Sequence, residues 1–168
     1  MDAAALEAIE AFHREVDAVA ARLGEHHRAR MQCKRGCSSC CVDDIAVFEI
    51  EAARITGAHT ELLAQGVAHP EGACAFLDEE GACRIYGERP YVCRTQGLPL
   101  SWIGEEDGQL VERRDICELN EPGEPPLVEL RREQCWPLGP AETKLAALQK
   151  KHGTTSERVR LRDMFGKR

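Results

Sequence analysis

Apolar positions in residues 2–31 recur at a helical step: Leu6, Ile9, Phe12, Val16, Val19 and Leu23 stand three or four apart, with Glu, Arg and Asp between them. The spacing predicts one long helix whose narrow apolar stripe needs a partner, with Gly24 as a point where it frays or bends. Ile45 to Phe48 then form a short β-prone run, after which Ile50, Ala53 and Ile55 restore the helical step. One helix, or two short ones interrupted near Gly57, is expected over 49–65. The stretch GACAFLDEEGACRIYGERPYVCR reads as a small hairpin, with FLD and CRIY flanking the turn signal EEG. Pro90 can open a helix, because the first helical turn leaves its missing N–H unpaired anyway. That helix carries Tyr91, Cys93 and Arg94 and ends near Gly97.

Residues 98–140 hold six of the eight prolines together with Gly104, Gly108, Gly123 and Gly139. They predict loops, with one strand pair around Leu100–Ile103 and Gln109–Val111. Pro140 and Gly153 bracket a further helix, and Thr154 with Glu157 has the spacing of a capping box for a last short one. No internal repeat and no low-complexity segment interrupts the chain.

Composition changes this picture in one respect. Aromatic residues make up only 5% of the 168, and 14 Gly and 8 Pro leave the middle of the chain short of the large side chains that fill a core. The balance of 22 Lys and Arg against 29 Asp and Glu, net −7, argues against a general nucleic-acid binder, because phosphate neutralisation needs a basic surface. From Glu142 to Arg168 the sign reverses, with eight basic and three acidic residues. A solvated helical face is the favoured reading there, ahead of a docking surface for an acidic partner. The acidic N-terminus lacks a basic start followed by an apolar run, and no stretch approaches the roughly 18 apolar residues of a membrane span. The expectation is a cytoplasmic protein with reduced thiols and no membrane partner; a protein or small-molecule partner is unknown.

The thiols are the densest chemistry in the chain. Nine cysteines are present, four of them in CKRGCSSCC at 33–41. Cys33-x3-Cys37-x2-Cys40 puts three sulfurs on one tight loop, a spacing that lets soft thiolate ligands converge on Zn²⁺, Cu(I) or an iron–sulfur cluster. Arg28, Arg30, Lys34 and Arg35 flank it and are expected to lower the thiol pKa values. Cys41 follows directly, and adjacent residues seldom both reach one tetrahedral ion, so it serves a second centre or stands as a reactive thiol. Cys74-x8-Cys83-x9-Cys93 forms a second set across the predicted hairpin and helix. Cys117 and Cys135 are either further ligands or ordinary buried cysteines, and one of them would complete eight thiolates, enough for two four-thiolate centres. His26, His27 and His69 could each replace a thiolate, although a half-buried structural histidine is the more common role. Arg89 and Arg94 sit beside predicted ligands, where a guanidinium can donate to sulfur and offset its charge, or receive a substrate carboxylate.

The first spacing is shared with the radical S-adenosylmethionine motif, but it follows a helix, and the chain has hardly any of the alternating strand and helix units that such a barrel needs. The pattern instead resembles the YkgJ-like cysteine-cluster family, named for its CxxCxxCC signature and described as a zinc- or iron-chelating domain. CKRGCSSCC at 33–41, FEIEAARI, and CAFLDEEGACRIYGERPYVCR at 74–94 carry the resemblance over roughly residues 30–97. It implies metal ligation by Cys37, Cys40, Cys41, Cys74, Cys83 and Cys93, and by Cys33 across a three-residue gap where the signature has two. Ala75 stands where the family often has proline. The family is also related to the cysteine-rich part of flagellin lysine methylases, which raises an enzymatic alternative.

Together these readings predict a mainly α protein with a small β-hairpin, a single small domain with long metal-organised loops. Its parts are an N-terminal helix (1–31), a cysteine-cluster core (32–97), a loop-rich segment (98–140) and basic C-terminal helices (141–168). The expected cofactor is an iron–sulfur cluster or iron, with zinc as the alternative. The function expected is metal binding through 33–41 and 74–93; a metal-dependent enzyme modifying a side chain or small metabolite, and a metal-delivery or interaction module, are the alternatives.

Overall fold

A computed structural model describes residues 2–153, 155 and 157–166. Helix α1 (Ala3–His26) begins where the side chain of Asp2 accepts a hydrogen bond from the N–H of Ala5 at 2.7 Å, and it runs through Gly24 without a break. Its buried face is Ala5, Ile9, Phe12, His13, Val16 and Leu23, whereas Leu6 is exposed. Strand β1 (Ala46–Phe48) leads directly into α2 (Glu49–Ala58), and His59 separates that helix from α3 (Thr60–Gln65). Pro90 caps the single turn α4 (Tyr91–Arg94).

The expected mainly α architecture with one small hairpin is not the one formed. Two small sheets stand among the helices: β1 pairs antiparallel with β5 (Arg158–Arg160), and β2 (Leu100–Glu106) lies between β3 (Gln109–Asp115) and β4 (Trp136–Pro137). The hairpin predicted over 74–94 shrinks to one isolated bridge, Leu77 to Cys83. Its turn belongs to Asp78, whose side chain accepts from the N–H groups of Glu80 and Ala82 at 3.0 and 2.7 Å and so satisfies the backbone locally instead of through a ladder. The long hairpin is β2–β3, which extends well beyond the strand pair expected there. Asp107 and Gly108, with φ of 51° and 78°, supply the two left-handed residues of its tight turn.

A second correction concerns the C-terminus. Helix α5 (Pro140–His152) ends at Gly153 as expected, but among the described residues no α-helix follows it. Thr154, the predicted cap, lies outside the described residues; Glu157 N–H donates to Thr155 Oγ1 at 3.2 Å, and the chain then forms β5 and a 3₁₀ turn over Leu161–Met164. The β-branched and long side chains of Arg158, Val159 and Arg160 find a ready edge in β1, which a helix at this point would leave unpaired.

Two apolar clusters result, and α2 contributes to both. Ile50 joins the stripe of α1, Tyr91, Leu98, Trp136 and Leu145. Ala52 and Ile55 instead pack with Val47, Leu63, Phe76, Leu77, Ile85, Leu161 and Phe165. The second cluster lies directly beneath the cysteine segments: Cys74 is a member, and Cys41 and Cys83 pack against it.

Candidate metal centre

All nine cysteines are free thiols. The first loop curls through two consecutive turns, closed by Cys37 N–H to Lys34 O at 3.0 Å and Cys41 N–H to Ser38 O at 2.8 Å. This double turn keeps Cys33, Cys37 and Cys40 within one short loop. Ser39 bridges outward from it, with its hydroxyl 4.0 Å from Cys37 Sγ and 3.9 Å from Cys117 Sγ. Asn120, fully buried, ties the opposite side together. Its Nδ2 donates to Cys33 Sγ at 3.3 Å and Gly97 O at 2.8 Å, its Oδ1 accepts from Gln32 N–H at 2.7 Å, and its own N–H reaches Cys117 O at 2.7 Å. Ser39 and Asn120 therefore make neighbours of Cys33, Cys37 and Cys117. Although Cys33 as a residue is exposed, burial of its sulfur pushes its pKa up, and the charges of Cys37, Cys117 and Cys40 push the same way against the Asn120 hydrogen bond. Burial thus outweighs the flanking cations expected to lower it. Arg30, one of those cations, is buried and donates instead to Pro125 O.

The second group is joined to the first by backbone. Cys74 N–H donates to Cys41 O at 2.8 Å, and the turn at Gly81 rests against Gly36 O and Ser38 Oγ. Cys83 stands opposite Leu77 in the single bridge, and Cys93 sits on α4. Cys93 is pushed up to about 12, chiefly by burial and then by Cys74, Cys83, Cys40 and Glu51. Cys74 and Cys83 are raised by burial as well. At the junction of the groups, Cys41 shares a hydrogen bond with Cys40: Cys40 is pulled down to about 6, and Cys41 is pushed up by that bond, by burial and by Cys40, Cys74 and Cys93.

Cys135 lies elsewhere. It is 2% exposed, and burial raises its pKa against the nearby guanidiniums of Arg114 and Arg30. Of the two arginines singled out in the sequence, Arg89 stacks on the Tyr86 ring at 4.0 Å and lowers the pKa of Cys83 through its charge. Arg94 turns toward α1 and donates to Asp17 and to Gly87 O. The histidines also have other partners. His27 bonds Gln134 O at 2.6 Å, His26 the Gln134 side chain at 2.9 Å, and His69 uses its backbone N–H on Ala75 O.

Residues that sequence reasoning passed over hold these groups in place. Arg162 donates to both carboxyl oxygens of Asp43 and to the carbonyls of His69, Pro70 and Ala73, so the C-terminal turn clamps both thiol segments; in return Asp43 is held down at about 2. Glu51, 3% exposed, accepts from Tyr91 N–H at 2.7 Å, two residues before Cys93. Behind it His13 is locked between Arg54 and Glu51. A guanidinium can only donate, so His13 Nδ1 accepts from Arg54 and Nε2–H donates to Glu51 across 3.3 Å. Neither the buried Asn120 nor the buried Glu51 carries a local sequence signal.

The match with a protein-family model rests on the same region. Residues 32–118 match the CxxCxxCC family, described as "Putative zinc- or iron-chelating domain". The chain belongs to the CxxCxxCC family. The matched span takes in Cys33, Cys37, Cys40, Cys41, Cys74, Cys83, Cys93 and Cys117 and leaves out Cys135. No curated protein and no solved structure matches the chain.

The CxxCxxCC residues fit such an ion by their chemistry. Among the described residues no three His, Cys, Asp or Glu side chains converge tightly enough to grip one ion. Burial opposes ionisation of Cys33, Cys74, Cys83 and Cys93, a cost that a bound soft cation reverses by stabilising the thiolates. Gly97 also provides room for a sulfur: a Cβ there would stand 2.6 Å from Cys33 Sγ.

Proposed function

We propose that this CxxCxxCC protein holds zinc or iron, the latter as thiolate iron or an iron–sulfur cluster, and that the metal serves to fasten its loops. The observation that carries the reading is the contact of Cys74 N–H with Cys41 O, which places the two cysteine segments side by side. Thiolates on regions with little regular structure are the donor set of structural sites, each of which contributes roughly 10–16 kcal/mol to folding. A catalytic metal needs an open position beside a pocket. The two described clefts, of about 430 and 360 Å³, are lined by Ser101, Trp102 and Glu142, and by Arg22, His26 and Gln134, among others, with no cysteine in either lining. The thiolate donor set carried on loops is what supports a structural role.

Elemental analysis of the purified protein for zinc, iron and acid-labile sulfide tests the identity of the metal. Zinc gives a colourless protein and an iron–sulfur cluster a brown one. Chelation should then lower the thermal midpoint and erase part of the circular dichroism. A metal-free sample with unchanged spectrum and midpoint overturns the reading.

A further inference from the structure

We propose that Cys40 and Cys41 form a reversible redox couple, a vicinal dithiol that closes to a disulfide by exchange with a small-molecule disulfide, and that the closed form withdraws both sulfurs from metal ligation. The second half of the proposal rests on the metal-binding reading and adds its regulation; the first half stands without it.

The two thiols already face one another. Cys40 and Cys41 share a hydrogen bond, whereas most of the other sulfurs are engaged elsewhere: Cys33 by Asn120, Cys37 and Cys117 by Ser39, Cys74 and Cys83 by the backbone of Phe76 and Ile85, and Cys135 by Arg114. Backbone contacts hold the pair in place, since Cys41 N–H donates to Ser38 O and Cys41 O accepts from Cys74 N–H, each at 2.8 Å. Both residues are half-buried and lie between the exposed Ser39 and Val42, so a small disulfide can reach them. A disulfide needs only these two sulfurs, in contrast to a metal ion, around which no three of the described side chains converge.

Exchange proceeds in two displacements. One thiolate of the pair attacks a sulfur of the small disulfide, forming a mixed disulfide and expelling one small thiolate; the neighbouring thiol then gives up its proton, attacks the protein sulfur of the mixed disulfide and expels the other. Cys40 and Cys41 together lose two electrons and two protons, and one small disulfide becomes two thiols. The Cys40–Cys41 peptide is trans, which sets the two Cα atoms about 3.8 Å apart, closer than the roughly 4.4–6.8 Å usual across a disulfide. The closed bond is therefore strained, and strained disulfides are the more easily reduced and labile ones. Such a bond suits a switch better than a permanent staple. Once closed, its sulfurs carry no thiolate charge and are lost as soft ligands.

Equilibrating the reduced, chelator-treated full chain with glutathione and glutathione disulfide, alkylating the remaining thiols and digesting with trypsin reads the couple by mass. The peptide 36–54, cut after Arg35 and Arg54, carries Cys37, Cys40 and Cys41. It should gain one alkyl group, on Cys37, and lack two hydrogens, with fragmentation placing the bond between Cys40 and Cys41; excess glutathione should restore all three thiols. A bond from Cys37 to Cys40, a link from this peptide to Cys74 or another cysteine, a lasting glutathione adduct, or no disulfide at high glutathione disulfide overturns the couple. A bond that excess glutathione leaves intact overturns it as well, and none of these readouts depends on a variant folding. The oxidised chain, freed of glutathione, should then take up less Zn²⁺ than the reduced chain, and equal uptake overturns the regulatory half. A reduced chain that binds no Zn²⁺ removes the metal-binding reading and the regulation built on it, whereas the mass of the peptide decides the disulfide separately.

Discussion

Asn120 donates to Cys33 Sγ at 3.3 Å while its other amide hydrogen bonds run to Gly97 O and from Gln32 N–H, at 2.8 and 2.7 Å. One buried amide thus holds three chain segments around one sulfur. Asn120→Ala leaves the Gln32 N–H, in an exposed residue, and the buried Gly97 carbonyl without this partner, and the one buried orphan costs about 1–3 kcal/mol. Urea unfolding should show a loss in that range, accompanied by faster release of metal to a chelator. Asn120→Asp turns an anionic oxygen toward the sulfur and should release metal faster than wild type even where the fold survives.

Gly97 makes a sharper test of the same corner. Its φ of +88° strains any other residue, and an added Cβ would also meet Cys33 Sγ at 2.6 Å. Gly108, at φ +78°, has the same strain with nothing within 4 Å of a Cβ. Both alanine variants should lose about 1–2 kcal/mol to the left-handed backbone, whereas only Gly97→Ala should also lose metal. Equal metal content in the two variants would show that the sulfur tolerates the crowding.

Much of this arrangement was legible in the sequence, and the exceptions share a cause. Helical spacing marked α1, and Pro90, Pro140 and Gly153 marked helix ends, because these signals act within a few residues. The cysteine segments were visible for the same reason. The hairpin expected over 74–94 does not form because FLD and CRIY look like strands while Asp78 satisfies the turn by itself, whereas the pair expected around Leu100–Ile103 and Gln109–Val111 forms and runs longer across the Asp107-Gly108 turn. The last strand was missed because β5 exists only by virtue of β1, and no local pattern records a partner so distant. Asn120 and Glu51 were silent on the same grounds: their roles are made by what packs around them.

His13 predicts a pH dependence. Burial is the largest influence on it and lowers its pKa below the ordinary 6.5, and Arg94 and Arg54 add to this against the Glu51 hydrogen bond. The folded protein therefore binds fewer protons than the unfolded chain just below pH 6.5. The stability that depends on a neutral His13 is complete above about 6.5 and is lost as pH falls through the folded pKa. Urea midpoints measured from about pH 7.5 to about pH 5.5 should fall more steeply in wild type than in His13→Gln. Parallel slopes would mean that His13 does not contribute.

The basic C-terminal segment predicts a structural effect on truncation. Leu161 and Phe165 belong to the apolar cluster under the cysteines, and Arg162 clamps Asp43 and the carbonyls of His69, Pro70 and Ala73. Deleting residues 154–168 should lower the thermal midpoint and the metal content together, and Arg162→Gln should do so to a lesser degree. A truncated protein with full metal content would mark this segment as a dispensable appendage.

The pairing of Ala46 with Arg160 also imposes an order of events on synthesis. A chain emerging from the ribosome exposes every family cysteine before β5 and Arg162 exist, so the thiols pass through a period in which nothing clamps the segments that carry them. Contacts so remote in sequence also form late in folding. Zinc or iron taken up by these thiols would thus meet them in a half-folded chain, before Arg162 fastens Asp43 to the carbonyls of His69, Pro70 and Ala73.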